Sequence, residues 1–192
     1  FNPAGKNPNT IQLRFKPEQI TGSTSPFGLS SVSQSLWWLR GNSGPTSGSL
    51  VLEYAGSGLD SGSYNGSIKD PYYQYGTLKY INAAGVSASV YLPFFDGGWW
   101  STMISVDSDL TASLYAGNKI YNGKDGTSIG YFSSSNAPAN GWLNSTGGVS
   151  NVARAGLSGY TNFSGSIQEV RYYVPTISES VFKDYVMNPL SI

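Results

Sequence analysis

From Phe163 to Tyr173 the chain alternates: Ser164, Ser166, Gln168, Val170 and Tyr172 occupy one set of positions, and Gly165, Ile167, Glu169, Arg171 and Tyr173 the other. A two-residue period sends successive side chains to opposite faces of an extended strand, and β-branched and aromatic residues suit that pleated surface. The same spacing recurs upstream. In Thr10–Lys16, Ile11, Leu13 and Phe15 lie opposite Gln12, Arg14 and Lys16, so one face is expected to be buried. Further strands are expected over 35–40, 49–54, 76–81, 87–92, 110–116, 127–132 and 148–154, with one more in which Trp100, Thr102, Ile104 and Val106 share a face. Asp107-Ser-Asp109 joins that strand to the next as a hairpin. Asn118, Asn122-Gly123 and Asp125-Gly126 read as turn signals.

The end of the chain changes period. Pro175 stops the last strand, Ser178 stands at an N-cap position, and Glu179 falls in the first turn of a helix. Val181, Phe182, Tyr185 and Val186 form one apolar stripe before Asn188-Pro189 ends it. About ten strands and one short C-terminal helix describe an all-β fold, two antiparallel sheets packed as a β-sandwich or jelly roll. At 192 residues this is a single domain over 1–192. Because it begins at Phe1, it is read as a fragment of a longer chain.

Composition removes whole classes of function. The chain has no Cys and no His, which excludes thiol chemistry, a Ser-His-Asp triad and the usual zinc or copper sites. Only 11% of residues are charged, with 11 basic against 11 acidic, and no basic run tracks a phosphate backbone; nucleic acid is not an expected partner. No apolar run approaches the roughly 20 residues of a membrane span, so no membrane insertion is expected. A surface built from Gly, Ser, Asn and Thr around aromatic strands fits an extracellular or virion surface domain. Three sequons, at Asn65, Asn144 and Asn162, are no more than a chain this rich in Asn and Ser yields by chance.

The aromatic residues are the main binding candidates. Sugars lie with their C–H faces on Trp or Tyr rings while polar groups read the hydroxyls, and Trp99, Trp142, Tyr72, Tyr73 and Tyr75 stand beside polar loops. The alternative is packing. In Trp37-Trp38 and Trp99-Trp100 the two rings of each pair face opposite ways, so at least one of each is expected in the core, Trp100 among them. Gly56–Asp70, rich in Gly and Ser, is read as the longest loop. Glu169 and Arg171, two apart on one strand face, are expected to pair at the surface.

The order of these pieces resembles the concanavalin A-like jelly rolls, and within them the laminin G-like branch. The likeness rests on Thr10-Ile-Gln-Leu-Arg-Phe-Lys-Pro17 as an opening strand and on Gly98-Trp-Trp-Ser-Thr-Met-Ile-Ser-Val106 as a Trp followed by a core strand. Leu114-Tyr-Ala-Gly-Asn118 follows as a return strand, and Phe163–Tyr173 with Ile177-Ser-Glu-Ser180 as the closing strand and helix. Leu92-Pro-Phe-Phe-Asp-Gly-Gly-Trp-Trp100 with Tyr185-Val-Met-Asn-Pro-Leu-Ser-Ile192 is similar to laminin G-like domains in structural proteins of large DNA viruses and tailed phages. The resemblance implies a display or adhesion module, on a virion or cell surface, whose partners are other surface-protein subunits and cell-surface glycans.

It implies no catalytic centre. Glucanases of this superfold carry a Glu-x-Asp-x-(x)-Glu cluster on one strand, whereas Glu53, Glu169 and Glu179 have no acid at i+2 or i+4. A glycoside hydrolase would need two of Glu53, Asp96, Asp107, Asp109 and Glu169 to converge within about 5–10 Å. No cofactor is expected except, through the resemblance, a calcium ion at a loop rim. Asp107, Asp109 and Asp125, with Asp60, could supply carboxylate oxygens to it, and Asn118 or Asn122 an amide oxygen. A glycan-binding lectin, with or without calcium, is therefore the alternative to a non-enzymatic structural module.

Overall fold

The strand nearest the N-terminus, β1 (Thr10–Pro17), lies between the strand nearest the C-terminus and one from the middle of the chain. This computed structural model describes residues 10–19, 32–40, 46–54, 74–139, 149–155 and 158–189. The other strands are β2 (Val32–Arg40), β3 (Thr46–Tyr54), β4 (Gly76–Asn82), β5 (Ser87–Leu92), β6 (Trp100–Val106) and β7 (Thr111–Tyr121). They are followed by β8 (Thr127–Pro138), β9 (Val149–Val152), β10 (Thr161–Asn162), β11 (Gly165–Tyr173) and the helix α1 (Glu179–Met187). One sheet has the order β11-β1-β6-β7-β8, and the other β10-β2-β3-β4-β5 with β9 also on β2.

The alternation seen in the sequence becomes the core. Leu13 stands opposite Thr102 of β6 on one side and Val170 of β11 on the other, so the inward set of each strand meets its neighbours' inward set. Ile11, Leu13, Phe15, Trp100, Ile104 and Leu114 of the first sheet pack in one buried cluster with Trp37, Leu50, Leu52, Leu78 and Tyr80 of the second. Trp100 is fully buried, as alternation requires of one member of its pair, and Trp37 is likewise inside while Trp38 is half-buried.

The outer face of the first sheet departs from the expected pattern. All seven residues of β6 are buried, and on β1 Gln12 is buried with them. The reason is α1, which lies across this face: Phe182 and Val186 pack on Met103, with Tyr115, Ile129, Phe132 and Ile177 around them. The chain enters the helix through the Ile177 amide, which donates to Thr10 Oγ1 at 3.1 Å and Ser105 Oγ at 3.0 Å. Ser178 holds the N-cap position in extended geometry, yet its hydroxyl bonds Ser180 Oγ rather than a backbone amide. At the other end the sheet supplies the cations: Lys119 Nζ donates to the Met187 carbonyl at 2.7 Å and Arg171 Nη2 to the Pro189 carbonyl at 2.9 Å. Positive charge there complements the negative end of the helix dipole.

Two strands run further than their composition suggests. β7 continues through Asn118 to Tyr121, and β8 continues through Ser133–Asn136 to Pro138. Asn118 is not a turn residue here. It is buried at a register shift between β7 and β8, where its Oδ1 accepts the Tyr131 amide at 2.8 Å. Both β9, antiparallel, and β10, parallel, pair with β2. Between them the Ala153 amide donates to the carbonyl of Leu36, the residue skipped in the β2–β3 register.

Gly165, which opens β11, has φ +146°, and a Cβ there would run into the Lys16 carbonyl and the Phe163 ring. Gly165→Ala is therefore expected to cost at least about 1–3 kcal/mol, read as a lower urea midpoint at unchanged m-value. An unchanged midpoint would mean that the β1–β11 junction relaxes freely.

Candidate functional site

The turn between β5 and β6 builds the most distinctive surface feature. Phe94 and Phe95 are buried, and Asp96 Oδ1 accepts the Gly98 amide at 2.7 Å and Trp100 Nε1–H at 3.1 Å. With Trp100 held inward, its neighbour Trp99 turns to the outer side, where it is half-buried. The guanidinium carbon of Arg14 lies 5.1 Å from the centre of the Trp99 ring. Such stacking suits the planar, delocalised Arg cation.

Arg14 belongs to the outward set of β1. Its Nη1 donates to Gln168 Oε1, and Gln168 is the extra residue where Arg14 pairs with Glu169 but Phe15 with Ile167. The carboxylate nearest to it is already engaged: Glu169 Oε1 accepts from Arg171 Nε at 2.7 Å and lies 2.5 Å from Arg171 Nη2. Burial lowers the Arg14 pKa, with Glu169 acting against that shift. The cluster thus holds an Arg whose hydrogen bond is to a neutral amide, beside an indole at the surface.

Of the other binding candidates, Tyr75 is half-buried just before β4, its ring centre 5.2 Å from that of Tyr91. The neighbouring Gln74 carbonyl accepts the Phe95 amide at 2.9 Å, which ties the Tyr75 segment to the same turn. Tyr72, Tyr73, Trp142 and Asp60 lie outside the described residues.

The calcium candidates do not come together. Asp107 Oδ1 accepts the amides of Asp109 at 3.0 Å and Thr111 at 2.8 Å, ordinary turn chemistry at an exposed hairpin. Asp125 closes a short 3-10 turn after the far end of β7. A strand of 11 residues spans roughly 35 Å, so Asp107 and Asp109 cannot share one ion with Asp125. Asn118 Oδ1 is engaged by Tyr131, and Asn122 Nδ2 donates to Ser128 Oγ at 2.6 Å. Among the described residues no three Asp or Glu side chains gather as a metal site.

The carboxylates weighed for hydrolysis are also spread out. Asp96 and Asp107 flank opposite ends of β6, while Glu53 and Glu169 lie on the outward sets of different sheets. Glu53 is 2.5 Å from Lys79 Nζ, and the pKa of the Tyr160 hydroxyl is raised first by burial and then by the charge of that carboxylate. Sequence reasoning missed Tyr160, because nothing in a Gly/Ser turn marks which side chain folds back over a sheet. It missed Arg14 as well, whose importance depends on the β1–β6 pairing.

Among the described residues, two mostly antiparallel sheets packed around one core, with one α-helix at the C-terminal end, define a jelly-roll β-sandwich. Its fold is similar to that of the native heptameric SAP-like pentraxin from Limulus polyphemus, with TM-score 0.52 and 11% identity over 94% of this chain and 71% of that one. It is also similar to the enzymatically active domain of tailspike protein 2 of bacteriophage CBA120, with TM-score 0.51 and 15% identity over 95% of this chain. The chain spans only 24% of that tailspike domain. At these identities the likeness is one of fold, and it agrees with the jelly-roll β-sandwich expected from the alternating strands. No protein-family model and no curated protein matches the sequence. No helix among the described residues is long and apolar enough to cross a membrane.

Proposed function

We propose that this chain is a non-enzymatic, laminin G-like β-sandwich module of a larger virion or surface structural protein, serving architecture and attachment. The observation that carries the reading is how six of the nine Asp and Glu side chains among the described residues are used. Glu53, Glu169 and Glu179 are each in an ion pair, Asp96 and Asp107 hold turns, and Glu18 accepts from Ser164. None of these arrangements resembles a proton donor facing a second carboxylate across a bond to be cleaved. Likeness to a tailspike domain supports a place on a virion. The partners are other subunits of the same surface, with neither nucleic acid nor a bilayer among them.

A second reading, a glycan-binding module, is favoured by Trp99, an indole at the surface beside polar side chains. The test is an array of surface glycans probed with and without calcium, together with an assay for released reducing ends. The structural reading expects no released sugar, and hydrolysis of any array member would overturn it. Binding lost in Trp99→Ala or Trp142→Ala at unchanged melting temperature would promote the glycan-binding reading. Silence across the array would leave architecture as the function. A calcium ion that binds the folded chain would also raise its melting temperature in proportion to the logarithm of calcium concentration.

A further inference from the structure

We propose that the Arg14–Trp99 cluster binds a sugar that carries a carboxylate, with Arg14 as the anion contact and Trp99 as the stacking surface. The inference rests on the glycan-binding reading and names the ligand's chemistry.

The argument begins with charge. Among the described residues Arg14 makes one hydrogen bond, to the neutral Gln168 Oε1, so most of its N–H donors have no partner there. Its near neighbour Glu169 is held by Arg171 through two nitrogens of that guanidinium. Glu18, the other acid on this part of the chain, accepts from Ser164 Oγ at 3.1 Å. Lys16 lies two residues along β1 on the same outward set and is exposed. Arg14, Lys16 and Arg171 against Glu169 and Glu18 leave a net charge of +1 at this place, although Glu169 still acts on Arg14 through space.

Geometry then selects the anion. The Arg14 guanidinium carbon stands 5.1 Å over the centre of the indole, and a guanidinium is itself a planar, two-pronged donor that matches a planar carboxylate. Gln168 fixes one corner of that plane, because the register shift in β11 pushes its side chain toward Arg14. Trp99 is only half-buried beside that guanidinium, and its exposed part is offered to the C–H face of a sugar. A carboxylate on one ring and an apolar face on the same or the adjacent ring would use both groups at once.

The experiment is calorimetric titration of the whole chain with α-1,4-linked trigalacturonate and with the corresponding neutral galactotriose, which differ only in oxidation at C6. Expected is saturable binding of the acidic trimer, weakened by added salt, and at least tenfold weaker binding of the neutral one. Arg14→Gln removes a charge-assisted two-pronged contact and is expected to weaken acidic-trimer binding about ten- to a hundredfold. Arg14→Lys keeps the charge without the fork, guards against a folding defect, and should fall between the two. Melting temperatures of both variants should match the parent.

Equal binding of both trimers, insensitive to Arg14→Gln, would overturn the acidic-sugar inference and leave the glycan-binding reading standing. No binding of either trimer, nor of 3′-sialyllactose against lactose as a second acidic and neutral pair, would overturn this inference, and a silent array besides would remove the glycan-binding reading. Displacement by a tri-aspartate peptide at equal concentration would show that charge alone is read, and would overturn the sugar part.

Discussion

Replacing Trp100 by Ala is expected to lower the free energy of unfolding by about 3–5 kcal/mol, the usual cost of truncating a buried Trp or Phe. The ring is fully buried, with centroids 4.7 Å from Phe94 and 5.9 Å from Tyr131. Its loss leaves a cavity where both sheets meet the β5–β6 turn. It also removes the donor that Trp100 Nε1 gives Asp96 at 3.1 Å, which loosens the turn carrying Trp99. Trp100→Phe separates the two effects, since it keeps most of the packing and is expected to cost only about 1–3 kcal/mol through the lost hydrogen bond and a smaller cavity. Chemical denaturation of both variants at constant pH is the measurement. A cost below about 1 kcal/mol for Trp100→Ala would mean that the ring is not part of the core. A domain of this size has only about 5–15 kcal/mol in total, so the alanine variant should be visibly less soluble when warmed.

Phe182→Ala should have an effect of similar size, about 3–5 kcal/mol, by a different route. Phe182 is the larger of two buried residues through which α1 holds the first sheet, and its ring centre lies 5.8 Å from that of Tyr115 and 6.4 Å from that of Phe132. A helix of nine residues has little stability of its own in water, so once undocked it should melt. Limited proteolysis is then expected to cut the segment between Val174 and Ser178 in the variant well before the sandwich unfolds. Equal protease resistance in parent and variant would show that the helix is held by Lys119, Arg171 and the stacked rings of Tyr173 and Tyr185 instead.

Much of this architecture was legible because alternation is local. Ser87–Leu92 has the bounds expected of it, Trp100 faces inward, and Ser178 begins the helix. Glu169 and Arg171 pair as their spacing on one strand suggests. What was not legible is what lies on top of what. Nothing near Met103 shows that Phe182 will cover it, so the outer face of β6 looks solvated in sequence and is buried in the fold. Asn118 carries the composition of a turn and serves a register shift, because an amide that accepts a stray backbone N–H suits either place. The candidate site divides in the same way. Trp99 could be chosen from its loop, but Arg14 and Gln168 join it through strand pairings across the length of the chain. The aspartates chosen for calcium share a composition, yet Asp125 is separated from Asp107 and Asp109 by the length of β7.

The position of β1 bears on how such a chain is made. Thr10 pairs with Tyr173 along one edge of β1 and with Ser105 along the other, so an early strand waits for a late one. During synthesis at about 5–20 residues per second, that edge would stay open for roughly ten to thirty seconds after β1 leaves the ribosome. Contacts this distant in sequence also place folding in the slow range, milliseconds to seconds, once the last strand is free. Until then an unpaired, half-apolar strand is open to a neighbouring nascent chain, so yield in expression should depend on temperature and on chaperone supply more than the finished sandwich would suggest.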